Sequence, residues 1–236
     1  MCTGRVDLAF VLHAFQKGAD GVIVGGCWLG ECHYVTEGNY YALNLMHLAK
    51  RLVQHAGVNP DRLRIEWISA SEGVRFAEIM NDFADMLRKL GPLSQDTGSN
   101  GNHLQARLEE IRTLVPYIKI ANREKLTRRL EGQEDYDALY TPEEIETLLT
   151  ELPSYHIDPA KCQACMICLR QCPVHGIQGA KGQIHVIDQE LCIKCGTCYE
   201  ACPEKFDAIS LISGGPVPPP IPEKERTIVR EGKGVG

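Results

Sequence analysis

The 236-residue sequence lacks several features that would place it in common functional classes. It has no excess of positive charge, because its net charge of −6 gives no general attraction to nucleic acid or to an anionic membrane. No window holds the ~18 uninterrupted apolar residues of a membrane span, and the first residues contain no basic stretch followed by an apolar secretory segment. We therefore expect a cytoplasmic protein that neither spans a membrane nor binds nucleic acid.

Cysteine is the residue present in unusual number, with eleven copies. An odd count in such a chain disfavours a disulfide framework and favours metal ligation in a reducing compartment. Eight of the eleven form two runs with the spacing Cys-x2-Cys-x2-Cys-x3-Cys-Pro, which begin thirty residues apart. The first run contains Cys162, Cys165, Cys168 and Cys172, and the second contains Cys192, Cys195, Cys198 and Cys202. An Ile-Asp pair precedes each run, at Ile157-Asp158 and at Ile187-Asp188.

Two other metal chemistries fit this pattern less well. A zinc ribbon uses two Cys-x2-Cys pairs and would leave the third and fourth cysteine of each run without a role. Haem attachment requires a histidine directly after a Cys-x-x-Cys pair. The residues in that position are Met166, Leu169, Gly196 and Tyr199. Three histidines lie near the runs, and we expect them to be surface or packing residues, because eight cysteines already supply eight ligands. They are His156, His175 and His185.

The two runs resemble the bacterial two-cluster ferredoxin, in which each [4Fe–4S] cluster takes three thiolates from one run and the fourth from the other. The resemblance implies two [4Fe–4S] clusters in an α+β ferredoxin fold. It assigns Cys162, Cys165, Cys168 and Cys202 to the first cluster, and Cys192, Cys195, Cys198 and Cys172 to the second. The stretch from Gly182 to Gly196 also resembles the ferredoxin extension of hydrogenase and respiratory-complex flavin subunits, which implies electron relay within a larger complex.

The first 92 residues alternate between helical and strand patterns. Helices are expected over residues 6–15, 40–55 and 69–90, and strands over residues 21–25 and 63–67. The apolar run of the first strand is typical of a strand buried on both faces. Strands separated by helices imply a parallel sheet in an α/β layer. Two strands make an incomplete sheet.

The chain is expected to divide into four segments: an α/β domain over residues 1–92, a helical linker over 93–152, the ferredoxin domain over 153–213 and a Pro/Gly-rich tail over 214–236. The tail composition predicts an extended and poorly ordered segment. Within the linker, a basic stretch precedes an acidic one. In one interpretation these stretches are two solvated helical faces. In the other they are an antiparallel helix pair held partly by opposite charge, or a docking face for a partner.

Three cysteines remain outside the two runs: Cys2, Cys27 and Cys32. Cys27 follows the first predicted strand, at the carboxyl edge where open α/β sheets place their ligands. The spacing Cys27-x4-Cys32 can bridge one end of a [2Fe–2S] cluster. Three ordinary thiols near a loop are the alternative.

The N-terminal region contains several distinctive motifs: Met1-Cys2-Thr3-Gly4-Arg5-Val6-Asp7, Gly26-Cys27, Cys32-His33-Tyr34, Gly38-Asn39-Tyr40 and Trp67-Ile68-Ser69-Ala70. These motifs resemble the delta subunit of methyl-viologen-reducing hydrogenase. The resemblance covers residues 1–92 and implies a [2Fe–2S] cluster held through Cys2, Cys27 and Cys32. It also implies electron relay from a hydrogenase or formate dehydrogenase to the flavin subunit of a heterodisulfide reductase-type, electron-bifurcating complex.

The sequence departs from that family at two positions and in its length. Trp28 stands where the family often has His, and Glu31 where it often has Asp. The family also carries further residues upstream, including a cysteine-rich motif, and three thiolates are one short of the four that a [2Fe–2S] cluster needs. We therefore expect an N-terminally shortened form, the alternative being a genuine short form whose site is lost or completed by a partner.

Together these features predict an electron-transfer subunit without catalytic residues of its own. A freely diffusing ferredoxin-like carrier with an α/β appendage is the main alternative. A nucleotide-binding oxidoreductase is less consistent, because residues 25–30 lack the G-x-G-x-x-G phosphate turn. Glu72 resembles a catalytic acid, but its spacing of three residues from Ser69 predicts a helix capping box.

Overall fold

The computed structural model of the protein describes residues 2–96 and 101–228. The chain divides into two units, Met1–Leu149 and Thr150–Gly236. The helices and strands of the first unit are α1 (Leu8–Gln16), β1 (Val22–Gly26), α2 (Asn39–Ala56), β2 (Leu63–Trp67), α3 (Gly73–Leu90), α4 (Gly101–Thr113), α5 (Val115–Ala121), α6 (Arg123–Leu126), α7 (Gln133–Asp137) and α8 (Pro142–Thr150). Strands β1 and β2 pair in parallel, with Val22 opposite Leu63 and Gly26 opposite Trp67. The predicted two-stranded parallel sheet is therefore confirmed.

Strand β1 is less buried than its apolar run predicts. Val24 and Gly26 are buried, whereas Val22 and Ile23 are half-buried and Gly25 is exposed. Within the described part of the chain β1 has a single neighbouring strand, so one of its edges stays open. The prediction of a strand buried on both faces is wrong, because the face that carries Ile23 and Gly25 is only partly covered.

Helices α1 and α2 form the centre of the core. Asp7 caps α1 by accepting a hydrogen bond from the Ala9 N–H at 2.9 Å. Helix α2 ends at Gly57, whose φ of +99° lies in the left-handed region that glycine adopts most easily. The apolar stripe of α1 is buried, as its spacing predicts; it comprises Leu8, Val11, Leu12 and Phe15.

Helix α3 begins later and is more exposed than its sequence pattern predicts. It starts at Gly73, and Ile79 and Phe83 are its buried residues. Phe76, which lies three residues before Ile79 and so shares its side of the helix, is nevertheless 53% exposed. Residues at 3–4 spacing share one face, but burial also requires a neighbouring element, and α3 has close neighbours along only part of its length.

The segment that the sequence predicts to be a helical linker packs instead into the core of the first unit. Its apolar side chains join those of α1 and α2, and they include Leu104, Leu108, Ile111, Val115, Ile118, Leu126, Tyr140 and Ile145. Asn44 of α2 is buried and donates hydrogen bonds to the carbonyls of Lys125, Leu126 and Arg128. The physical reason is that an amphipathic helix needs a partner for its apolar stripe, and α1 and α2 supply one.

The opposite charges of this segment meet in the structure. Lys125 of α6 contacts both carboxylate oxygens of Glu144 in α8 at 2.8 Å. The same ammonium group lies 5.2 Å from the ring centre of Tyr140 and donates to the Leu139 carbonyl. This contact agrees with the interpretation in which opposite charge helps to hold two helices together.

A fully buried arginine joins the start of β2 to the end of α3. Arg62 has no exposed surface, and its guanidinium contacts Asp96 at 2.7 and 2.9 Å. It also donates to the carbonyls of Asp20, Gly91, Leu90 and Pro92. The buried charge is therefore paired and its donors are satisfied.

The second unit contains two small antiparallel sheets and two short helices. In chain order these are β3 (Pro153–Ile157), α9 (Ile167–Gln171), β4 (Ile177–Gln178), β5 (Val186–Ile187), α10 (Thr197–Ala201) and β6 (Ile209–Ser213). Strand β3 pairs with β6, and β4 pairs with β5. Cys172 is the C-cap of α9 and Cys202 is the C-cap of α10, so the two halves of the repeat have the same local structure.

The described part of the C-terminal tail is more regular than its composition predicts. The Ile184 N–H donates to the Arg226 carbonyl at 2.7 Å, and the Ile228 N–H donates to the Gly182 carbonyl at 2.9 Å. Gln183 and Thr227 form an antiparallel bridge between these bonds. The tail is thus extended but packed against the ferredoxin segment up to residue 228, and residues 229–236 lie outside the described residues.

Candidate metal centres

In the second unit the thiols of three cysteines lie near Cys168 of α9, and with it they are called the first group: Cys162, Cys165, Cys168 and Cys202. Burial, together with the smaller effect of the other three thiols, raises the pKa of Cys168 to about 11. Cys202 belongs to the second run of the sequence, so the chain carries it across to the first group.

The second group gathers around α10. Its members are Cys192, Cys195, Cys198 and Cys172. Burial and the neighbouring thiols of Cys195 and Cys172 raise the pKa of Cys192. Burial, together with smaller contributions from the thiols of Cys192, Cys195 and Cys168, raises the pKa of Cys198 to about 12. Because Cys168 belongs to the first group, the two groups are adjacent.

The electrostatics of both groups suit a positively charged metal centre. Crowded, buried thiols resist ionisation, and a bound metal supplies the charge that makes thiolates stable. Backbone donors already point at two of the sulfurs: the Gly176 N–H donates to Cys172 Sγ at 3.2 Å, and the Lys194 N–H to Cys192 Sγ at 3.4 Å. Hydrogen bonds to the charged form favour it.

The repeated Ile-Asp pair has a structural explanation. Asp158 accepts a hydrogen bond from the Ala160 N–H through its side chain, and its carbonyl accepts one from the Cys162 N–H. Asp188 makes the same two contacts, with the N–H groups of Glu190 and Cys192. Each aspartate therefore forms a turn that presents the first cysteine of its run.

Both cysteine loops pass through the left-handed backbone region immediately before their helices. Met166 has a φ of +68°, and Gly196, thirty residues later, has a φ of +77°. Ala164 and Lys194 form a second equivalent pair, at φ of +50° and +58°. A residue other than glycine in the left-handed region costs about 1–2 kcal/mol of conformational energy. The packing around the sulfurs has to offset this cost.

The three remaining cysteines lie together in the first unit. Cys2 Sγ is 3.5 Å from Cys32 Sγ, and the Cys27 thiol lies beside Cys32 as well. Cys2 precedes a short 3-10 helix, Thr3–Arg5, and Cys27 follows β1 directly. The structure therefore brings together all three cysteines that the sequence singled out in this region.

Cys32 is the member of this trio whose thiolate is favoured. Burial acts to raise its pKa, but N–H groups of Tyr34 and Asn39 donate to the sulfur and lower the pKa below its usual value. Asn39 is the first residue of α2, so Cys32 lies at the N-terminus of an eighteen-residue helix. Burial and the contact with Cys32 raise the pKa of Cys2 and of Cys27.

Close backbone packing around the trio explains several motif residues. A Cβ on Gly38 would lie 2.5 Å from Cys32 Sγ, and a Cβ on Gly4 would lie 2.0 Å from the Glu37 carbonyl oxygen. The Asn39 side chain donates to the Cys27 and Trp28 carbonyls at 3.0 and 2.6 Å. A side chain at Gly38 would therefore displace the Cys32 thiol, and a side chain at Gly4 would collide with the backbone at Glu37.

Glu72 supports this loop rather than forming a full capping box. Its carboxylate accepts hydrogen bonds from the Ser69 N–H at 2.6 Å and from the Trp28 indole N–H at 2.8 Å. The N-cap of α3 is Glu72 itself, which makes no side-chain cap hydrogen bond, and the Glu72 N–H donates to the Ser69 carbonyl at 3.0 Å rather than to the Ser69 hydroxyl. Arg75 lies 4.7 Å from the centre of the Trp28 ring. Trp28, one of the two positions that depart from the family pattern, is therefore fixed by its hydrogen bond to Glu72 and by the contact of Arg75 with its ring.

In residues 2–96 and 101–228, no three or more His, Cys, Asp or Glu side chains are arranged to hold one metal ion. Four sulfurs on one Zn²⁺ at about 2.3 Å would lie about 3.8 Å apart. A cubane binds its ligands at separate corners and spreads them further. The second unit supplies eight thiols, the number of ligands that two cubanes need, and the trio of the first unit supplies one thiol fewer than four.

One histidine is more closely tied to the cysteines than its sequence context indicates. His185 is buried, with Nδ1 3.4 Å from Cys168 Sγ, and burial lowers its pKa. His175 is exposed and His156 half-buried. The expectation of a surface or packing residue misses the sulfur contact of His185, for which the sequence offers no signal beyond proximity to a run.

The second unit contains the duplicated arrangement of an iron–sulfur electron-transfer protein. A family model described as "4Fe-4S dicluster domain" matches residues 161–207. A second, described as "Methyl-viologen-reducing hydrogenase, delta subunit", matches residues 1–91. With the relatives described next, these matches show that the chain belongs to the methyl-viologen-reducing hydrogenase delta subunit family.

The chain is similar to iron–sulfur subunits of hydrogenases. It is 55% identical over 91 residues to an iron–sulfur subunit of the F420-non-reducing hydrogenase of Archaeoglobus profundus, which covers 39% of this chain and 66% of the relative. It is 43% identical over 100 residues to an iron–sulfur subunit of the vhc F420-non-reducing hydrogenase of Methanococcus voltae, covering 42% and 69%. The chain thus spans about two thirds of the length of these relatives.

A further similarity is to a much longer protein. The chain is 45% identical over 96 residues to a subunit of the ferredoxin/F(420)H(2)-dependent CoB-CoM heterodisulfide reductase of Methanosarcina acetivorans, which covers 41% of this chain and 12% of that protein. These relatives support an electron-transfer role in an oxidoreductase complex. No helix in the part of the chain that the structure describes is long and apolar enough to cross a membrane.

Proposed function

We propose that the protein is a non-catalytic subunit that relays electrons between a hydrogenase- or formate dehydrogenase-type donor and the flavin subunit of a heterodisulfide reductase-type, electron-bifurcating complex. The observation that carries the proposal is the adjacency of two four-thiol groups, because the helices α9 and α10, which carry Cys168 and Cys198, pack against each other. Two neighbouring redox centres allow an electron to enter at one and leave from the other.

The proposed ligands follow the crossed arrangement of the two runs. Cys162, Cys165, Cys168 and Cys202 hold the first [4Fe–4S] cluster. Cys192, Cys195, Cys198 and Cys172 hold the second. The electrostatic influence of Cys202 on Cys168, and of Cys172 on Cys192, supports this exchange of fourth ligands. Each bound cluster supplies one-electron storage, and the chain's part is to hold the sulfurs, exclude water and donate backbone N–H groups to them.

For the first unit we propose a [2Fe–2S] cluster bound through Cys2, Cys27 and Cys32. The favoured thiolate of Cys32 and the 3.5 Å contact between Cys2 and Cys32 support a thiolate site there. Four ligands are required, so this proposal also demands a ligand beyond the three. A cytoplasmic location stays a prediction.

The proposed partners derive from the relatives. The hydrogenase iron–sulfur subunits support a hydrogenase-type donor, and the similarity to part of a heterodisulfide reductase supports a partner of that class. A small relay protein of this kind works inside a complex, where short distances between centres replace diffusion.

Co-purification from native cells tests the proposed function. The protein, detected by antibody, is expected to elute from a gel-filtration column of anaerobic extract in a complex that also contains a hydrogenase or formate dehydrogenase component together with a flavin subunit. Elution of all the protein at the size of a 26.2 kDa monomer would contradict the proposal and favour a freely diffusing carrier. Turnover of hydrogen, formate or a nicotinamide by the reconstituted chain alone would contradict its non-catalytic role.

A further inference from the structure

The two halves of the ferredoxin segment differ at one buried position beside a cysteine. His185 is 1% exposed, and its Nδ1 lies 3.4 Å from Cys168 Sγ. Its Nε2 lies 3.3 Å from the sulfur of Met166. Among the described residues no histidine makes such a contact with a cysteine of the second group.

The surroundings of His185 are shaped to its ring. Gly179 has a φ of +147°, and a Cβ at this position would lie 2.4 Å from His185 Cδ2. Any other residue at 179 would therefore displace the imidazole from its position beside Cys168. Gly179 adopts a backbone conformation that favours glycine, and its lack of a side chain lets the His185 ring pack against it.

Met166 completes the asymmetry between the halves. Met166 and Gly196 occupy equivalent positions with φ of +68° and +77°, a conformation that favours glycine. The first half carries a long side chain there despite the backbone conformation, and its sulfur contacts His185. In the second half the Tyr155 hydroxyl lies at the corresponding place, 2.9 Å from where a Cβ on Gly196 would lie.

The direction of the hydrogen bond follows from the acceptors that flank the ring. A cysteine that binds iron is a thiolate, with no proton to donate and a full negative charge to accept one. The thioether of Met166 is only a weak acceptor. The single proton of a neutral imidazole is therefore held at Nδ1, between the ring and Cys168 Sγ.

We propose that His185 sets the reduction potential of the first cluster, by donating its Nδ1–H to the Cys168 thiolate. This inference rests on the ligand assignment of the proposed function. Reduction adds one negative charge to a cluster, and a donor aimed at a ligand sulfur stabilises that charge. The bond raises the potential of the first cluster relative to the same site without the donor, whereas among the described residues the second cluster has no equivalent histidine donor. Removing the donor therefore moves one potential and leaves the other in place.

The test uses the full chain, reconstituted anaerobically with iron and sulfide and titrated with dithionite while the EPR signals of both clusters are recorded. His185→Leu and His185→Phe remove the donor, and His185→Asn keeps an N–H near the position of Nδ1. His156→Leu is the matched control, a histidine of the same segment without a sulfur contact among the described residues. We expect the Leu and Phe variants to shift one of the two midpoint potentials to more negative values, and the Asn variant to restore most of the shift.

Two further measurements address the same bond without removing the side chain. In the wild-type chain labelled with ¹⁵N-histidine, pulsed EPR of the reduced first cluster is expected to detect coupling to a histidine nitrogen. Gly179→Ala is expected to displace the ring and to shift the same potential in the same direction as His185→Leu. Both readouts are independent of electron transfer to a partner.

The outcomes separate this inference from the proposed function. A wild-type chain that binds fewer than about eight irons in the second unit would overturn the cluster assignment and the role of His185 with it. Full iron content with unchanged potentials in His185→Leu and no ¹⁵N coupling would overturn the role of His185 alone. Equal shifts of both potentials, or a shift in His156→Leu of the same size, would also overturn it.

Discussion

The Trp28 indole N–H donates a hydrogen bond of 2.8 Å to the Glu72 carboxylate, and this bond joins the loop that carries Cys27 to the turn before α3. The Ser69 N–H donates to the same carboxylate oxygen at 2.6 Å. One side chain thus holds two loops at the carboxyl edge of the parallel sheet.

Glu72→Gln is expected to lower thermal stability in a pH-dependent manner. Hydrogen bonds from the Ser69 N–H and the Trp28 indole lower the pKa of Glu72. A carboxyl whose folded-state pKa is depressed contributes stability above its usual pKa of about 4.3, and this contribution is lost as pH falls through the lower folded-state value. The difference in melting temperature between wild type and variant should therefore be full at pH 6–7 and shrink below about pH 4.

Glu78→Gln serves as the control for that series. Glu78 lies on the same helix, and its side chain is exposed. It should change the melting temperature little at any pH. A pH-independent effect of Glu72→Gln would contradict the assigned role of the ionised carboxylate.

Asp96→Ala should destabilise the first unit strongly, because it leaves Arg62 buried without its counter-ion. Arg62 is completely buried, while Asp96 is 13% exposed and its pKa is lowered by Arg62 against the opposing effect of burial. Breaking a buried pair in this way costs about 3–5 kcal/mol. Urea unfolding followed by circular dichroism measures the loss.

The exposed ion pair between Arg88 and Asp85 offers a matched comparison. Both side chains are more than half exposed. Asp85→Ala should cost at most about 1 kcal/mol, as surface pairs do. Equal losses for the two alanine variants would show that the Arg62 pair contributes no more than a surface contact.

Cys202→Ala and Cys172→Ala are expected to damage clusters in the opposite half of the sequence. Cys202→Ala removes a proposed ligand of the cluster held by Cys162, and Cys172→Ala removes one from the cluster held by Cys192. Iron content and EPR spectra of the two reconstituted variants should show loss of different clusters. Loss of the Cys192 cluster in Cys202→Ala would reverse the assignment.

Gly38→Ala tests the packing of the N-terminal thiol trio. The added Cβ would meet Cys32 Sγ at 2.5 Å and the Tyr34 carbonyl oxygen at 2.1 Å, and neither contact is tolerable without displacement. Metal bound to the first unit should fall sharply. Gly25→Ala is the control, because a Cβ there meets no atom of the described structure within 4 Å. Equal retention of metal in both variants would contradict a site at Cys32.

The sequence predicts the parts of this protein that depend on local spacing. The duplicated cysteine runs predict the dicluster domain, and the helix and strand order predicts the parallel pairing of β1 with β2. The stripe of α1 predicts its buried face because the 3–4 spacing of Leu8, Leu12 and Phe15 marks one side of the helix, whichever elements cover that side.

Features that depend on long-range packing could not be predicted in the same way. The helices after residue 100 resemble a linker in the sequence because their partner surface is on α1 and α2, far away in the chain. His185 lies seventeen residues from Cys168, and their contact requires the turn at Gly179 and the left-handed conformation of Met166. Phe76 fits a helical stripe by spacing, yet no neighbouring element covers it in the described structure.

The most direct test of the central claim is the iron and acid-labile sulfide content of the full chain carrying Cys2→Ala, Cys27→Ala and Cys32→Ala. These substitutions remove the thiols of the first unit and leave the eight of the second. After anaerobic reconstitution we predict about eight irons and about eight sulfides per chain, the content of two cubanes. Recovery of about four irons, or of stoichiometric zinc in their place, would contradict the account.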